Sequence, residues 1–62
     1  MPPKLEAEKL LKENAAYSDP MNFALHLCSE LIREYTKISP EPNKAQYWEE
    51  VKKELLKIKN SR

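Results

Sequence analysis

The sequence predicts an all-α protein, a small three-helix unit with a short first helix, a long second helix and an amphipathic third helix. Apolar residues recur at helical spacing, no segment alternates apolar and polar residues as a strand does, and prolines divide the chain into three segments. The 62 residues leave room for one domain. We expect a single domain, 1–62, with helices at about 3–17, 20–38 and 44–59, assembled as a dimeric helical bundle.

The first helix is expected to be the weakest of the three. Proline is tolerated in a first helical turn because the N–H that it lacks has no partner there, so Pro2 and Pro3 suit the start. Leu5 projects to the side opposite a narrow apolar stripe. That stripe consists of Ala7, Leu10, Leu11 and Asn14. Such a helix depends on packing against its neighbours and frays first.

The second helix begins at a clear signal, because Asp19 is a good N-cap and Pro20 suits the first helical position. Its apolar positions span an arc of about 160° and form two heptad-like rows, so the helix should contact two neighbours. They are Met21, Ala24, Leu25, Leu27, Cys28, Leu31, Ile32, Tyr35 and Ile38. If the other two helices cover Ala24, Leu27, Leu31 and Ile38, then Met21, Leu25 and Ile32 are left without cover.

Prolines also mark the start of the third helix. Pro40 disfavours helical geometry at Ser39, and Asn43 followed by Gln46 predicts a variant capping box, with the helix running from Lys44. Its apolar stripe spans about 100° and consists of Tyr47, Trp48, Val51, Leu55 and Ile58. Leu56 and Ala45 fall to one flank of that stripe.

A chain of this size buries only a marginal fraction of its surface when it folds, so its net stability is expected to be low. Scaling laws give a folded surface of ~4,200 Å² against ~10,600 Å² for the extended chain. Burial of the apolar part contributes on the order of 95 kcal/mol, and ordering the residues at ~1.5 kcal/mol each costs about the same. Small domains gain additional stability from disulfides, a metal ion or a second chain. The sequence favours a second chain, because it has one cysteine and one histidine.

The composition excludes several kinds of chemistry. Glycine is absent, which removes the phosphate-binding glycine loops. Cys28 and His26 lie about 200° apart around a helix, so no tetrahedral zinc set forms, and we predict no metal and no cofactor. Cys28 lies in both apolar rows, which favours a buried small side chain over a reactive thiol. His26 lies on a polar face with only Glu30 one turn away, so we expect no catalytic residue and no enzyme.

Charge leaves one alternative function open. The formal net charge is only +1, but residues 52–62 carry five basic side chains and one acidic side chain. Clustered lysine and arginine side chains contact phosphates, so a nucleic-acid-binding helical protein using the basic C-terminal helix is the alternative. The residues concerned are Lys52, Lys53, Lys57, Lys59 and Arg62. Against it, Glu49 and Glu50 lie where a recognition helix would meet DNA.

The favoured function is a small non-enzymatic protein–protein interaction module: a regulator, adaptor or assembly factor acting through an apolar helical surface. Its partner is expected to be a second copy of the chain, another protein, or both, with no membrane contact and no small-molecule substrate. The partner-binding residues predicted are Met21, Phe23, Leu25, Ile32, Tyr47, Trp48 and Leu56. No apolar run reaches the ~18 residues of a membrane span, and the single cysteine suits a cytoplasmic protein.

Overall fold

The computed structural model describes residues 2–61 and contains three α-helices. They are α1 (Pro3–Glu13), α2 (Pro20–Arg33) and α3 (Pro42–Asn60), and a π-helical turn (Glu34–Ile38) follows directly on α2. No strand occurs within those residues. The all-α prediction is confirmed, and the first helix is short, but the longest helix is α3 with 19 residues and not the second helix, which has 14.

α1 ends at Glu13, four residues before the predicted end at Tyr17. The side-chain amide of Asn14 donates to the Leu10 carbonyl at 2.8 Å, and the next backbone bonds span three residues instead of four, as in Ala15 N–H to the Lys12 carbonyl at 3.3 Å. Asparagine side chains compete with the backbone for hydrogen bonds, and three-residue bonds tighten the chain into a turn. The helix therefore ends where the Asn14 side chain hydrogen-bonds to the last turn of the helix.

α2 begins as predicted but changes its winding at Glu34. Asp19 accepts a hydrogen bond from the Asn22 N–H at 3.1 Å, which is the expected N-cap. Farther along, the Thr36 hydroxyl donates to the Ile32 carbonyl at 2.7 Å, and the Ser39 N–H reaches back five residues to the Glu34 carbonyl at 2.8 Å. Bonds of that length define a π turn, which replaces the last five residues of the predicted helix.

α3 begins at Pro42, two residues before the predicted start at Lys44. Pro42 occupies the first helical position, where its fixed φ angle favours helical geometry, and Glu41 is the N-cap residue. The predicted capping role of Asn43 is wrong, because this residue already lies inside the first turn. Lys44 instead pairs with Glu41 at 3.2 Å and lies over the Tyr35 ring at 5.4 Å.

The core is small and is made largely of small side chains. Its central cluster takes two buried residues from each helix: Ala7 and Leu10, Ala24 and Cys28, Val51 and Leu55. Partly buried side chains surround this cluster; they are Leu11, Met21, Leu25, Leu27, Tyr47 and Trp48. The accessible surface is 4579 Å², roughly a tenth above the ~4,200 Å² expected for a compact chain of this mass.

Two expectations about the second helix need correction. Ile38 was expected among the covered positions, but it is 65% exposed. A π turn contains more residues per turn than an α-helix, so it rotates the side chains that follow away from the helical stripe. Met21 and Leu25, expected to lack cover, pack partly against the core cluster.

Candidate partner-binding surface

α2 and α3 pack against each other and run antiparallel. The Lys52 ammonium donates to the Ser29 hydroxyl at 3.1 Å across the two helices. Met21, near the start of α2, lines a shallow groove with Lys59, near the end of α3. Earlier residues of α2 therefore lie beside later residues of α3, so the two helices run in opposite directions.

Four predicted partner-binding residues fall beside this helix pair. Leu56 lies one turn after Lys52 on α3, and Leu25 lies one turn before Ser29 on α2, so the antiparallel register places them next to each other on the outside. Met21 and Ile32 continue the same row of α2 in either direction. We call Met21, Leu25, Ile32 and Leu56 the α2–α3 face. The first three are half-buried, and Leu56 is 38% exposed.

Phe23 belongs to a different part of the surface. It is two positions from Leu25, and two positions correspond to about 200° around a helix. Its ring stacks on Tyr17 with centroids 4.7 Å apart and an interplanar angle of 8°. Tyr17 is 55% exposed and Phe23 is 39% exposed. The two rings form an aromatic pair at the turn between α1 and α2, and sequence reasoning missed Tyr17 because it assigned that residue to the end of the first helix.

Tyr47 and Trp48 are shared between the surface and the core. Their rings meet edge to face at 5.3 Å, and both side chains pack against the core cluster. Burial, together with the negative charge of Glu6 and a hydrogen bond to its carboxylate, raises the pKa of the Tyr47 phenol. Tyr47 thus meets α1, on another side of α3 from Leu56.

Cys28 is fully buried at the centre of the core cluster, as its place in both apolar rows predicts. Burial raises the pKa of its thiol to about 11; Lys52 lowers the pKa and Glu6 raises it, both by smaller amounts. A thiol with this pKa and no exposed surface is almost entirely protonated at neutral pH. His26, by contrast, is exposed and lies 3.8 Å from the Glu30 carboxylate.

The basic side chains of α3 do not form a single stripe. Lys52 bonds to Ser29, and Lys57 pairs with Glu54 at 3.3 Å. Lys52 and Lys53 are consecutive, so they point about 100° apart around the helix. Lys59 borders the groove at the start of α2. Arg62, the remaining member of the predicted basic group, lies outside the described residues.

Two kinds of feature are absent from residues 2–61. No helix in that range is both long and apolar enough to cross a membrane. No three His, Cys, Asp or Glu side chains of the same range lie close enough together to bind a metal ion.

Comparison with models of known protein families, with curated proteins and with solved structures found no match to this chain. The function is therefore inferred from its own residues and their geometry.

Proposed function

We propose that this protein is a small non-enzymatic protein–protein interaction module that associates through the α2–α3 face. The observation that carries the proposal is the incomplete cover of the middle helix. Of its nine predicted apolar positions, only Ala24 and Cys28 are buried. Partly exposed apolar side chains that continue along a helix are typical of an association surface.

We further propose that the partner is a second copy of the chain, which gives the dimeric helical bundle expected from the sequence. The molecule measures 33 × 20 × 19 Å along its principal axes. A face of roughly 600 Å² on each copy gives a total near ~1,200 Å², the lower end of stable interfaces. Each copy would then cover the apolar side chains of the α2–α3 face that the other copy leaves exposed.

Charge also favours a second copy in one orientation. The first half of α3 contains Glu49 and Glu50, whereas its second half contains Lys57 and Lys59. A two-fold axis that runs the two α3 helices antiparallel brings the acidic beginning of one helix beside the basic end of the other. A parallel arrangement would place like charges together.

Sedimentation equilibrium at tens of micromolar tests the proposal directly. The expected mass is twice the 7.3 kDa of the chain. Leu25→Glu and Ile32→Glu should each return the mass to that of one chain while circular dichroism keeps most of its helical signal, because each places a charge in the apolar contact. Leu5→Glu, on the exposed side of α1, is the matched control and should leave the dimer intact. A wild-type mass of one chain excludes the homodimer, and an unchanged mass in both face variants excludes this face.

The alternative, nucleic-acid binding by Lys52, Lys53, Lys57 and Lys59, receives less support. Lys52 and Lys57 already have partners within the chain, and the four side chains fall on two sides of the helix, Lys52 with Lys59 and Lys53 with Lys57. Binding dominated by phosphate contacts weakens steeply between ~50 and ~200 mM salt, whereas apolar association does not. We propose the cytoplasm as the compartment, supported by the single unpaired cysteine.

A further inference from the structure

The turn between α1 and α2 presents the aromatic pair, Tyr17 and Phe23, to solvent. Stacking holds the linker against α2, but it uses only one face of each ring, and both side chains remain exposed. A shallow groove, which we call the aromatic groove, runs beside the two rings. The other residues that border it are Ser18, Asp19, Asn22 and His26. Phe23 is about 200° around the helix from Leu25, so the aromatic groove lies away from the α2–α3 face.

The chain around the aromatic groove is acidic, although the whole protein has a net charge of +1. Residues 13–32 contain three carboxylates and neither lysine nor arginine. Asp19 borders the groove, and Glu30 follows Phe23 by seven residues, which returns it to nearly the same side of α2. The positive end of the α2 dipole amounts to only ~0.5 charge, less than the full negative charge of Asp19. The aromatic groove therefore favours a cationic ligand.

The two carboxylates on this side of α2 retain capacity to bind such a ligand. Asp19 Oδ1 accepts from the Asn22 N–H at 3.1 Å, and the second oxygen of a carboxylate can also accept hydrogen bonds. None of the ion pairs within residues 2–61 includes Asp19. Lys59 borders the neighbouring groove at the start of α2 and not the aromatic pair. Glu30 contacts the His26 imidazole at 3.8 Å, an exposed contact that contributes little.

We propose that the aromatic pair and Asp19 bind an arginine side chain from an extended, basic segment of another protein. A planar guanidinium group stacks on aromatic rings and donates hydrogen bonds to a carboxylate in a fixed geometry, which a lysine ammonium group cannot do. Glu30 lies ~10 Å beyond Phe23 along α2, and an extended chain covers that distance in about three residues. A second arginine three positions along the segment therefore reaches Glu30. The inference goes beyond the proposed function, because the aromatic groove and the α2–α3 face lie on opposite sides of α2.

A synthetic peptide with blocked ends, Ser-Arg-Ala-Ala-Arg-Ser, is the probe. Added to isotope-labelled protein at low salt, it should shift the backbone amide signals of residues 17–23, 26 and 30 in a saturable nuclear magnetic resonance titration. A peptide with citrulline at both arginine positions keeps the planar groups without their charge and should bind about tenfold more weakly. Equal binding of the two peptides, no saturable binding, or shifts centred on another surface would overturn the proposal.

Variants of the protein locate the contact. Asp19→Asn keeps the N-cap acceptor and removes the charge, and Phe23→Leu keeps an apolar side chain and removes the ring, so each should raise the peptide Kd about fivefold. Glu49→Gln is the matched control, because Glu49 is an exposed carboxylate ~15 Å along α3 from Lys59, and it should leave the Kd within about twofold. A wild-type Kd for Asp19→Asn or for Phe23→Leu contradicts the proposal. Sedimentation of the protein alone reports on the homodimer and not on peptide binding, so the failures of the two proposals are distinguished.

Discussion

Leu55 and Leu56 are consecutive residues of α3 with different surroundings, so alanine substitution of each separates the core from the proposed interface. Leu55 is completely buried, whereas Leu56 is 38% exposed on the α2–α3 face. Leucine to alanine removes three carbons, which at ~0.8 kcal/mol each contribute about 2.4 kcal/mol when fully buried. For Leu55 the cavity left behind adds to this, giving an expected loss of about 3–5 kcal/mol in the free energy of unfolding.

The loss at Leu56 divides into two parts. The portion of the side chain covered within one copy contributes about 1.5 kcal/mol to the stability of that copy. The exposed portion, about 0.9 kcal/mol, is available only to a partner. In a two-fold dimer the exposed portion counts once for each copy, so Leu56→Ala should weaken dimerisation by about 1.8 kcal/mol, or roughly 20-fold in Kd.

Two measurements separate the parts. Urea denaturation at high dilution gives the free energy of unfolding of the separate chain, and sedimentation across a concentration series gives the dimer Kd. A dimer Kd for Leu56→Ala within twofold of the wild-type value would refute the assignment of the α2–α3 face as the interface. A loss below about 1 kcal/mol for Leu55→Ala would show that the core has been placed wrongly.

Two further predictions concern the cap of α2 and the buried thiol. Asp19→Ala should lower the free energy of unfolding by about 1 kcal/mol, whereas Asp19→Asn, whose side chain also accepts from the Asn22 N–H, should cost much less; equal losses in urea denaturation would contradict the cap. Because burial raises the pKa of Cys28 from 9.0 to about 11, stability from the protonated thiol is fully present below pH 9 and is lost as the pH rises through 11. Relative to Cys28→Ala, the wild type should lose about 1.4 kcal/mol by pH 10, and parallel stability curves for the two proteins would rule this out.

The number of helices and the starts of α1 and α2 could be predicted from the sequence, but the C-terminal ends of these two helices could not. Proline positions and 3.6-residue periodicity indicate where a helix can form, and both signals depend only on residues that are close in the sequence. Asn14 and Thr36 end or distort helices by hydrogen-bonding to carbonyls four residues back. Both side chains are also compatible with a regular helix, so the choice depends on packing and not on residue type. The exposure of Ile38 follows from the same distortion.

The exposure of the residues assigned to the candidate surface agrees in part with the expectation from the sequence. The incomplete cover of Ile32 followed from the width of the apolar arc, which one helix cannot hide between two neighbours, whereas Leu25, also expected to lack cover, packs partly against the core cluster. Grouping Phe23 with Leu25 ignored the angle of about 200° between them, which was available from their spacing. The stacking of Phe23 on Tyr17 could not be predicted, because it depends on how the chain turns after Glu13.

The composition of the core explains why apolar surface is left at its rim. Ala7, Ala24 and Cys28 occupy central positions where two helices meet, and small side chains there allow close approach of the backbones. Close approach also limits the apolar area that each contact buries, since an alanine contributes little. The larger apolar side chains, such as Leu25 and Leu56, are then displaced to the flanks, where a single chain covers them incompletely. The small residues at the centre of the core therefore account for the apolar surface that stays partly exposed at the flanks of the helices.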